Sequence, residues 1–326
     1  MNVGIIGCGL IGHKRAASLG RGLLAACADV NAERAEALSR AGAGCRAYVD
    51  WRELLKHPGL DLVVISTLHD SLAEISIAAL EAGLDVLVEK PAGRNLSEIK
   101  AVAEAARRTG RLVRVGFNHR YHRSVLKARE LFEAPATGEP MFIRARYGHG
   151  GRVGYDREWR ADPRLSGGGE LIDQGPHLID LARWFLGDFT SVSGFAHTYY
   201  WDMPVDDNAF MTLRTAAGQT AFMQVSCTEW KNLFSMEIYC RRAKIELSGL
   251  GGSYGPEKVT LYQMSPEMGP PETFSWEYPM ADNSWAVELE EFYEDIRLRR
   301  APAAGLAEAL AVHEVIEKIY SHKEKS

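Results

Sequence analysis

Three residues with groups suited to proton transfer stand at informative places in the chain: Lys90, Asp173 and His177. Lys90 lies in Glu89-Lys90-Pro91, directly after the apolar run Val86–Val88. Ligands of open parallel sheets bind outside the carboxyl ends of strands, so a lysine there would face a bound molecule; the alternative is a surface Glu-Lys pair before a helix. Pro91 biases Lys90 toward an extended backbone. Asp173 and His177 lie in Ser166-Gly-Gly-Gly-Glu-Leu-Ile-Asp173-Gln-Gly-Pro-His177. If helical, residues four apart share a face, and Pro176, which lacks an N–H, marks a bend or restart. The triple glycine lets another group approach the backbone closely. A histidine beside a carboxylate can take an alcohol proton as a hydride leaves; the alternative is a core histidine satisfied by Asp173.

A second constellation sits at the start of the chain. Gly7-Cys-Gly9-Leu10-Ile11-Gly12 follows the apolar run Val3–Ile6 and opens an amphipathic stretch. In that context the first glycine permits a tight turn, the second admits a pyrophosphate, and the third lets helix pack on strand. The N–H groups of the helix N-terminus then face the phosphates. Asp29 ends the next apolar run, where a carboxylate would bind ribose hydroxyls; the alternative is an acid capping a helix from Ala32. Val30 follows it and no cation stands directly beside it, which favours NAD over NADP, with Arg34 the counter-indication.

These residues need strands and helices to hold them. Val3–Ile6, Leu23–Ala28, Leu62–Ser66, Val86–Val88 and Leu112–Val115 are near-continuous apolar runs, the habit of strands covered on both faces. Helical periodicity separates them, as in Leu72, Ile75, Ala79 and Leu80, or Leu96, Ile99, Val102 and Ala106. The alternation predicts a doubly wound α/β domain over 1–118 with a parallel sheet. From 119 to 326 the texture is different. A helix is expected over 123–134, then period-two strands at Phe142–Tyr147, Phe210–Arg214, Thr220–Ser226, Ser235–Cys240, Lys244–Ser248 and Val259–Gln263. Two amphipathic helices, 284–299 and 306–322, close the chain. The second domain is therefore expected to be α+β, with a large open, mostly antiparallel sheet.

Composition bounds the rest. With 326 residues, 46% apolar and 25% charged, the chain has the make-up of a soluble protein of about two domains. It has no run of roughly 20 apolar residues, which argues against a membrane span. A net charge of −5 makes nucleic acid an unexpected partner, because phosphate contacts need a basic footprint. The five cysteines lack metal-ligand spacing and read as reduced, and no His/Cys/Asp/Glu cluster suggests a metal site. Met1-Asn2 leads directly into Val3, so a cytoplasmic location is expected.

Taken together, Gly7–Gly12, Asp29, Ala79-Leu-Glu-Ala-Gly83, Val88-Glu-Lys-Pro91, Gly116-Phe-Asn118 and Gly167–His177 resemble the Gfo/Idh/MocA family of NAD(P)-dependent oxidoreductases, across nearly the full length. The resemblance implies a Rossmann domain followed by an open-sheet domain whose broad face often forms a homo-oligomer interface, as a dimer or tetramer. It implies that His177 is the general base, that Lys90 binds and polarises the reacting hydroxyl, and that Asp173 orients the substrate. Thr67, Glu89 and Lys90 would lie along the cofactor, with Asn118, Arg120, Trp159 and Arg160 near the nicotinamide end. The family's usual substrates are secondary alcohols of sugars and cyclitols. Arg152, Tyr155, Arg157 and Arg160, in a loop before the catalytic stretch, could receive a phosphate, uronate or nucleotide-activated sugar as easily as neutral hydroxyls; alternatively their charges pair with Asp156, Glu158 and Asp162. Thr67-Leu-His69 departs from the family's usual Thr-Pro-Asn, and His69 is expected to be solvated. Three other readings stay open: redox-assisted elimination or glycoside cleavage with tightly held NAD, reduction of a carbonyl or imine with His177 as acid, and a non-catalytic NADH-sensing regulator.

Overall fold

Six short strands pair in parallel in the order β3-β2-β1-β4-β5-β6: β1 (Asn2–Ile6), β2 (Leu23–Ala28), β3 (Arg46–Tyr48), β4 (Leu62–Ile65), β5 (Asp85–Glu89) and β6 (Val113–Gly116). Between them run α1 (Leu10–Ala17), α2 (Ala32–Ser39), α3 (Trp51–Leu54), α4 (His69–Glu81) and α5 (Leu96–Thr109). This is the doubly wound order, whose direction reverses between β1 and β4 and opens a crevice at their carboxyl ends. Gly7, Asp29, Thr67 and Lys90 follow β1, β2, β4 and β5, so the topology alone brings all four to that edge. The computed structural model describes residues 1–267 and 269–321; the expected end of the last helix at His322 lies outside them.

The second sheet has eight strands: β7 (Pro140–Gly148), β8 (Phe189–His197), β9 (Asn208–Thr215), β10 (Thr220–Ser226), β11 (Leu233–Cys240), β12 (Ala243–Ser248), β13 (Glu257–Gln263) and β14 (Glu272–Tyr278). Their order is β14-β13-β12-β11-β7-β10-β9-β8. All neighbours are antiparallel except β7 and β10, which the chain joins by a long crossover through helices and the β8–β9 hairpin. One face carries α6 (Arg123–Glu133), α8 (Glu170–Asp173) and α9 (Gly175–Leu186), and α7 (Pro163–Ser166) falls between α6 and α8 in the chain. The alternating buried and exposed residues of β11, from Leu233 to Cys240, record the covered and open faces. Expectation missed β3, β8 and β14 because each is an edge strand with little buried apolar surface to pattern: β8 has no fully buried residue.

The chain divides into two compact units. One comprises Met1–Phe117, Arg164–Gly167 and Trp285–Leu310; the other comprises Asn118–Pro163, Gly168–Ser284 and the chain from Ala311 on. Residues 285–310, expected with the second domain, join the first because α10 (Ser284–Leu298) carries Leu289, Phe292, Tyr293 and Ile296 into the core of Val3, Ile5 and Val64. The last helix, α11 (Leu306–Ser321), runs from one unit into the other in sequence.

Candidate active site

In the first unit, the glycines do what the spacing predicts. A Cβ on Gly7, whose φ is +95°, would sit 2.5 Å from the Ser66 carbonyl oxygen, and one on Gly12 would sit 2.1 Å from the Gly7 carbonyl oxygen. Gly9 faces open space, and as the residue capping α1 it brings no side chain to the helix N–H groups. With no acidic residue in its first turn, α1 presents the backbone at Leu10, Ile11 and Gly12 as an anion-binding end. The Asp29 carboxylate accepts from the Cys8 N–H at 2.8 Å and the Asn31 N–H at 2.9 Å, which fixes it beside the glycine turn. Helix α2 is capped by Asn31, whose side chain accepts from Arg34 N–H, so the cap is not Asp29. A carboxylate keeps lone pairs beyond these two bonds for ribose hydroxyls. Val30, 92% exposed, offers no cation to a 2′-phosphate. These residues fit a dinucleotide.

Glu89, expected along the cofactor, makes a scaffold contact. Its carboxylate takes the Arg15 guanidinium at 2.6 Å, and Arg15 pairs at the same distance with Glu288 of α10. Arg15 and Glu288 are fully buried, and the guanidinium stacks 4.4 Å from the Trp285 ring centroid. Burial works against the Arg15 charge, but the two carboxylates outweigh it and hold the guanidinium protonated. The same group explains Gly116: a Cβ there would meet Glu89 Oε2 at 2.7 Å. Lys90, next in the chain, is half-buried in the turn that follows β5. Thr67 Oγ1 accepts from Ser71 Oγ at 2.9 Å. His69 is 4% exposed, not solvated, and its Nδ1 lies 2.8 Å from the Ser166 carbonyl oxygen, holding residues 164–167 against α4.

In the second unit, the helix restarts where Pro176 requires. Helix α8 ends at Asp173, and α9 begins at Gly175 with Pro176 in its first turn, where a missing N–H costs nothing. Asp173 and His177 are each 5% exposed. The groups that approach the glycine run are Asp206 and Tyr320: Asp206 accepts from Gly169 N–H at 3.0 Å, Leu171 N–H at 2.8 Å and Tyr320 O–H at 2.8 Å, anchoring the start of α8. Asp173 Oδ2 accepts from Arg160 Nε at 2.8 Å, and the Asp173 charge holds that guanidinium firmly protonated. Trp159 stacks on it at 4.6 Å. Trp159 and Arg160 thus form a short 3₁₀ turn that serves Asp173.

Arg120, expected near the nicotinamide end, is 5% exposed and donates to both oxygens of Asp180 at 2.7 and 2.6 Å. Two hydrogen bonds in a parallel fork fasten the guanidinium to α9. Asn118 donates to Ser284 Oγ at 3.0 Å. Arg152 pairs with Glu158 at 2.7 Å, and Tyr155 donates to Glu170 at 3.3 Å. Sequence reading overlooked Glu170, His149 and His119. His149 Nε2 lies 3.3 Å from Glu170 Oε1; burial disfavours the charged ring, but the Glu170 hydrogen bond and charge outweigh it and push its pKa up. A charged residue directly after the triple glycine, in an otherwise apolar helix start, was the signal for Glu170. His119 stacks on His177 with ring centroids 3.6 Å apart.

A third cluster, His122, Glu257 and Asp282, brings one potential ligand atom from each residue within 4.8 Å. Glu257 already accepts from His122 Nδ1 at 2.8 Å and from the Ser124 N–H and O–H at 3.1 Å. Glu257 is thus occupied by protein donors, and we read the cluster as a hydrogen-bonded group.

Known proteins share both domains of this chain. Residues 1–117 match the family described as an oxidoreductase family with an NAD-binding Rossmann fold, and residues 125–246 match a GFO/IDH/MocA C-terminal domain. The chain is similar to levoglucosan dehydrogenase of Pseudarthrobacter phenanthrenivorans, with 30% identity over 67% of this chain and 59% of that protein. It is also similar to scyllo-inositol 2-dehydrogenase (NAD(+)) of Bacillus subtilis, with 31% identity over 58% and 55%. The alignments thus span less than two thirds of either relative. Among solved structures, a levoglucosan dehydrogenase in complex with NADH has a TM-score of 0.88 at 23% identity, covering 98% of this chain and 96% of the other, which shows a shared fold. The chain belongs to the Gfo/Idh/MocA oxidoreductase family.

Proposed function

We propose that the protein is a dehydrogenase that moves a hydride between NAD and a secondary alcohol, or the matching ketone, on an uncharged sugar or cyclitol. One observation carries the substrate class. The arginines of the 147–164 loop that could have received an anion pair with acids of their own unit: Arg152 with Glu158 at 2.7 Å, Arg157 with Asp156 at 3.9 Å and Arg160 with Asp173 at 2.8 Å. A phosphorylated, uronate or nucleotide-activated substrate would have to compete with Asp173 for Arg160, the least exposed of the three arginines. A neutral polyol needs only donors and acceptors of hydroxyl scale, which Tyr155, Glu170, His149 and Asp173 supply. The related levoglucosan and inositol dehydrogenases favour the same class.

When bound, NAD supplies the acceptor or donor of hydride. The glycine turn, the N-terminus of α1 and Asp29 bind and orient it. In the oxidative direction His177 takes the hydroxyl proton. The Lys90 ammonium donates to the reacting oxygen and stabilises the negative charge that develops there. Asp173, held by Arg160, accepts from a neighbouring hydroxyl and fixes which carbon is presented. His177 returns the proton in the reductive direction.

We further propose a cytoplasmic homo-oligomer, with neither nucleic acid nor membrane as a partner. The five cysteines are unbridged thiols, and no helix among the described residues is long and apolar enough to cross a membrane. The open face of the second sheet exposes Phe195 and Phe222, with Phe142 stacked on Tyr239 at 4.3 Å, an apolar surface suited to a second copy. Light scattering checks this, and a monomer at assay concentration removes it. For the activity, the protein is titrated with NAD and NADP by calorimetry and then assayed on neutral sugars, cyclitols, uronates and nucleotide sugars. Tighter binding of NAD with turnover on a neutral polyol is expected. Turnover confined to an anionic substrate overturns the substrate class. NAD that copurifies and is never released moves the reading to elimination chemistry, binding without any turnover moves it to a sensor, and no binding overturns it.

A further inference from the structure

We infer that His119 is a positioning residue for His177: a second imidazole, stacked face to face on the first, that fixes the plane of the His177 ring and opposes its protonation. This rests on the proposed role of His177 as proton acceptor. The two rings are 3.6 Å apart with an interplanar angle of 13°, and both residues are buried, at 6% and 5% exposure. The ring of Tyr147, on β7, meets both edge-on, at 5.1 Å from His119 and 6.2 Å from His177. Phe234 on β11 and His122 at the start of α6 contact His119 at 6.2 and 5.4 Å. His119 is therefore held in a slot of aromatic rings with its face on the base.

The register of the stack is set by the neighbouring residues. His119 lies on the 3₁₀ turn Asn118–Tyr121, and Arg120 on the same turn grips Asp180 with two hydrogen bonds. Asp180 is three residues after His177 on α9, so both share a face of that helix. One adjacent pair of residues thus meets one i, i+3 pair, and the fork at Arg120–Asp180 fastens the turn to the helix where the imidazoles overlap. This gives Arg120 its use.

The stack is not a proton relay. Imidazole N–H groups and lone pairs lie in the ring plane, so no proton passes between stacked faces. What passes is orientation and charge: two imidazolium ions at van der Waals separation repel, so a proton on one ring disfavours a proton on the other. The other titratable and charged groups on the elements around the pair are His122 with Glu257 and Asp282, Tyr147 with Tyr254, the Arg120–Asp180 pair, Asp173 with Arg160, and His149 with Glu170. His122, edge-on to His119, is hydrogen-bonded to Glu257 and lies 3.6 Å from Asp282.

The test is the pH profile of kcat/KM for the wild type, His119→Phe and His119→Ala, with NAD and inositol, or levoglucosan where inositol is not turned over. His119→Phe keeps a flat ring in the slot, so kcat on the plateau should stay within about threefold while the acid limb moves up by at least about half a pH unit, as loss of a like-charge neighbour requires. His119→Ala should show the same displacement and in addition lose about tenfold in kcat with little change in KM, because the base is no longer oriented. An acid limb at the wild-type position in both variants overturns the inference. NMR titration of the wild-type histidines gives a second, activity-independent readout. Coupled, biphasic curves for His119 and His177 support the stack, and two independent one-proton curves overturn it. Turnover retained by His177→Ala would instead overturn the role of His177 itself, so the two failures are distinguishable.

Discussion

The two units bury charge for different ends. In the first, Arg15 with Glu89 and Glu288, and Arg114 with Asp295, lie between the sheet and α10 and hold that helix in place. The groups that would meet the cofactor are mostly backbone: the glycine turn and the N-terminus of α1. In the second, the buried charges surround the candidate chemistry, as in Arg160–Asp173, His149–Glu170 and Arg120–Asp180. Recognition by backbone needs glycine at fixed spacing and tolerates any structural use of nearby side chains. Recognition by side chains needs each one placed by a partner.

The sharpest test of that contrast is loss of a chemical group against loss of a scaffold group. Lys90→Ala and His177→Ala should each lower kcat by about 10²- to 10⁴-fold, the usual contribution of a general acid–base group, while NADH still binds by calorimetry. Unchanged turnover in either removes that residue from the mechanism. Arg15→Leu should leave NAD chemistry formally intact but strand Glu89 and Glu288 in the interior, costing about 3–5 kcal/mol in urea unfolding. A stability within 1 kcal/mol of wild type, on the same ~scale, would mean that the buried triad is not what seats α10.

Glu257 tests the second unit through pH. Burial raises a carboxylate's pKa, but the hydrogen bonds from His122 and Ser124 outweigh it and hold Glu257 down at about 2. A folded-state pKa below the unfolded value of 4.5 stabilises the protein above pH 4.5, and that contribution is lost as the pH falls toward 2. The shift corresponds to about 3 kcal/mol. Glu257→Gln should therefore be less stable at neutral pH and nearly match wild type in strong acid. An equal gap at both ends of the range would show that the loss is one of packing. Asp29→Ala should weaken NADH binding by about tenfold, the scale of one or two charge-assisted hydrogen bonds, with unfolding unaltered. Unaltered affinity would place the ribose elsewhere. The smallest effect is expected at Arg152→Ala, an exposed pair with Glu158, where KM should change less than about threefold because such pairs contribute little. A tenfold rise in KM would instead reveal an anionic substrate.

Much of the first unit was legible because its signals are local. Apolar runs with no polar face announce strands buried on both sides, and Gly7–Gly12 is readable because only glycine avoids the Ser66 and Gly7 carbonyls. Asp173 and His177 stood out for the same reason: a glycine run, a proline and two titratable residues occur within a few positions. The edge strands β8 and β14 were not read as strands: neither has a fully buried residue, so the apolar signal of a covered face is weak. His69 was placed in solvent, and a partner far along the chain, Ser166, claimed it; the long-range partners of Glu89 and Arg120, Arg15 and Asp180, were likewise not legible.

The sequence by itself therefore determined the class of the two domains, the glycine turn and the short list of groups able to carry a proton, because periodicity, backbone sterics and residue chemistry act over a few neighbours. Only the tertiary structure decided which charges are spent on scaffold. It also decided that α10 belongs to the first core and that His119 lies against His177. Those outcomes depend on contacts between residues far apart in the chain, as between Arg15 and Glu288, 273 positions apart, and no local pattern encodes which distant partner will neutralise a buried charge.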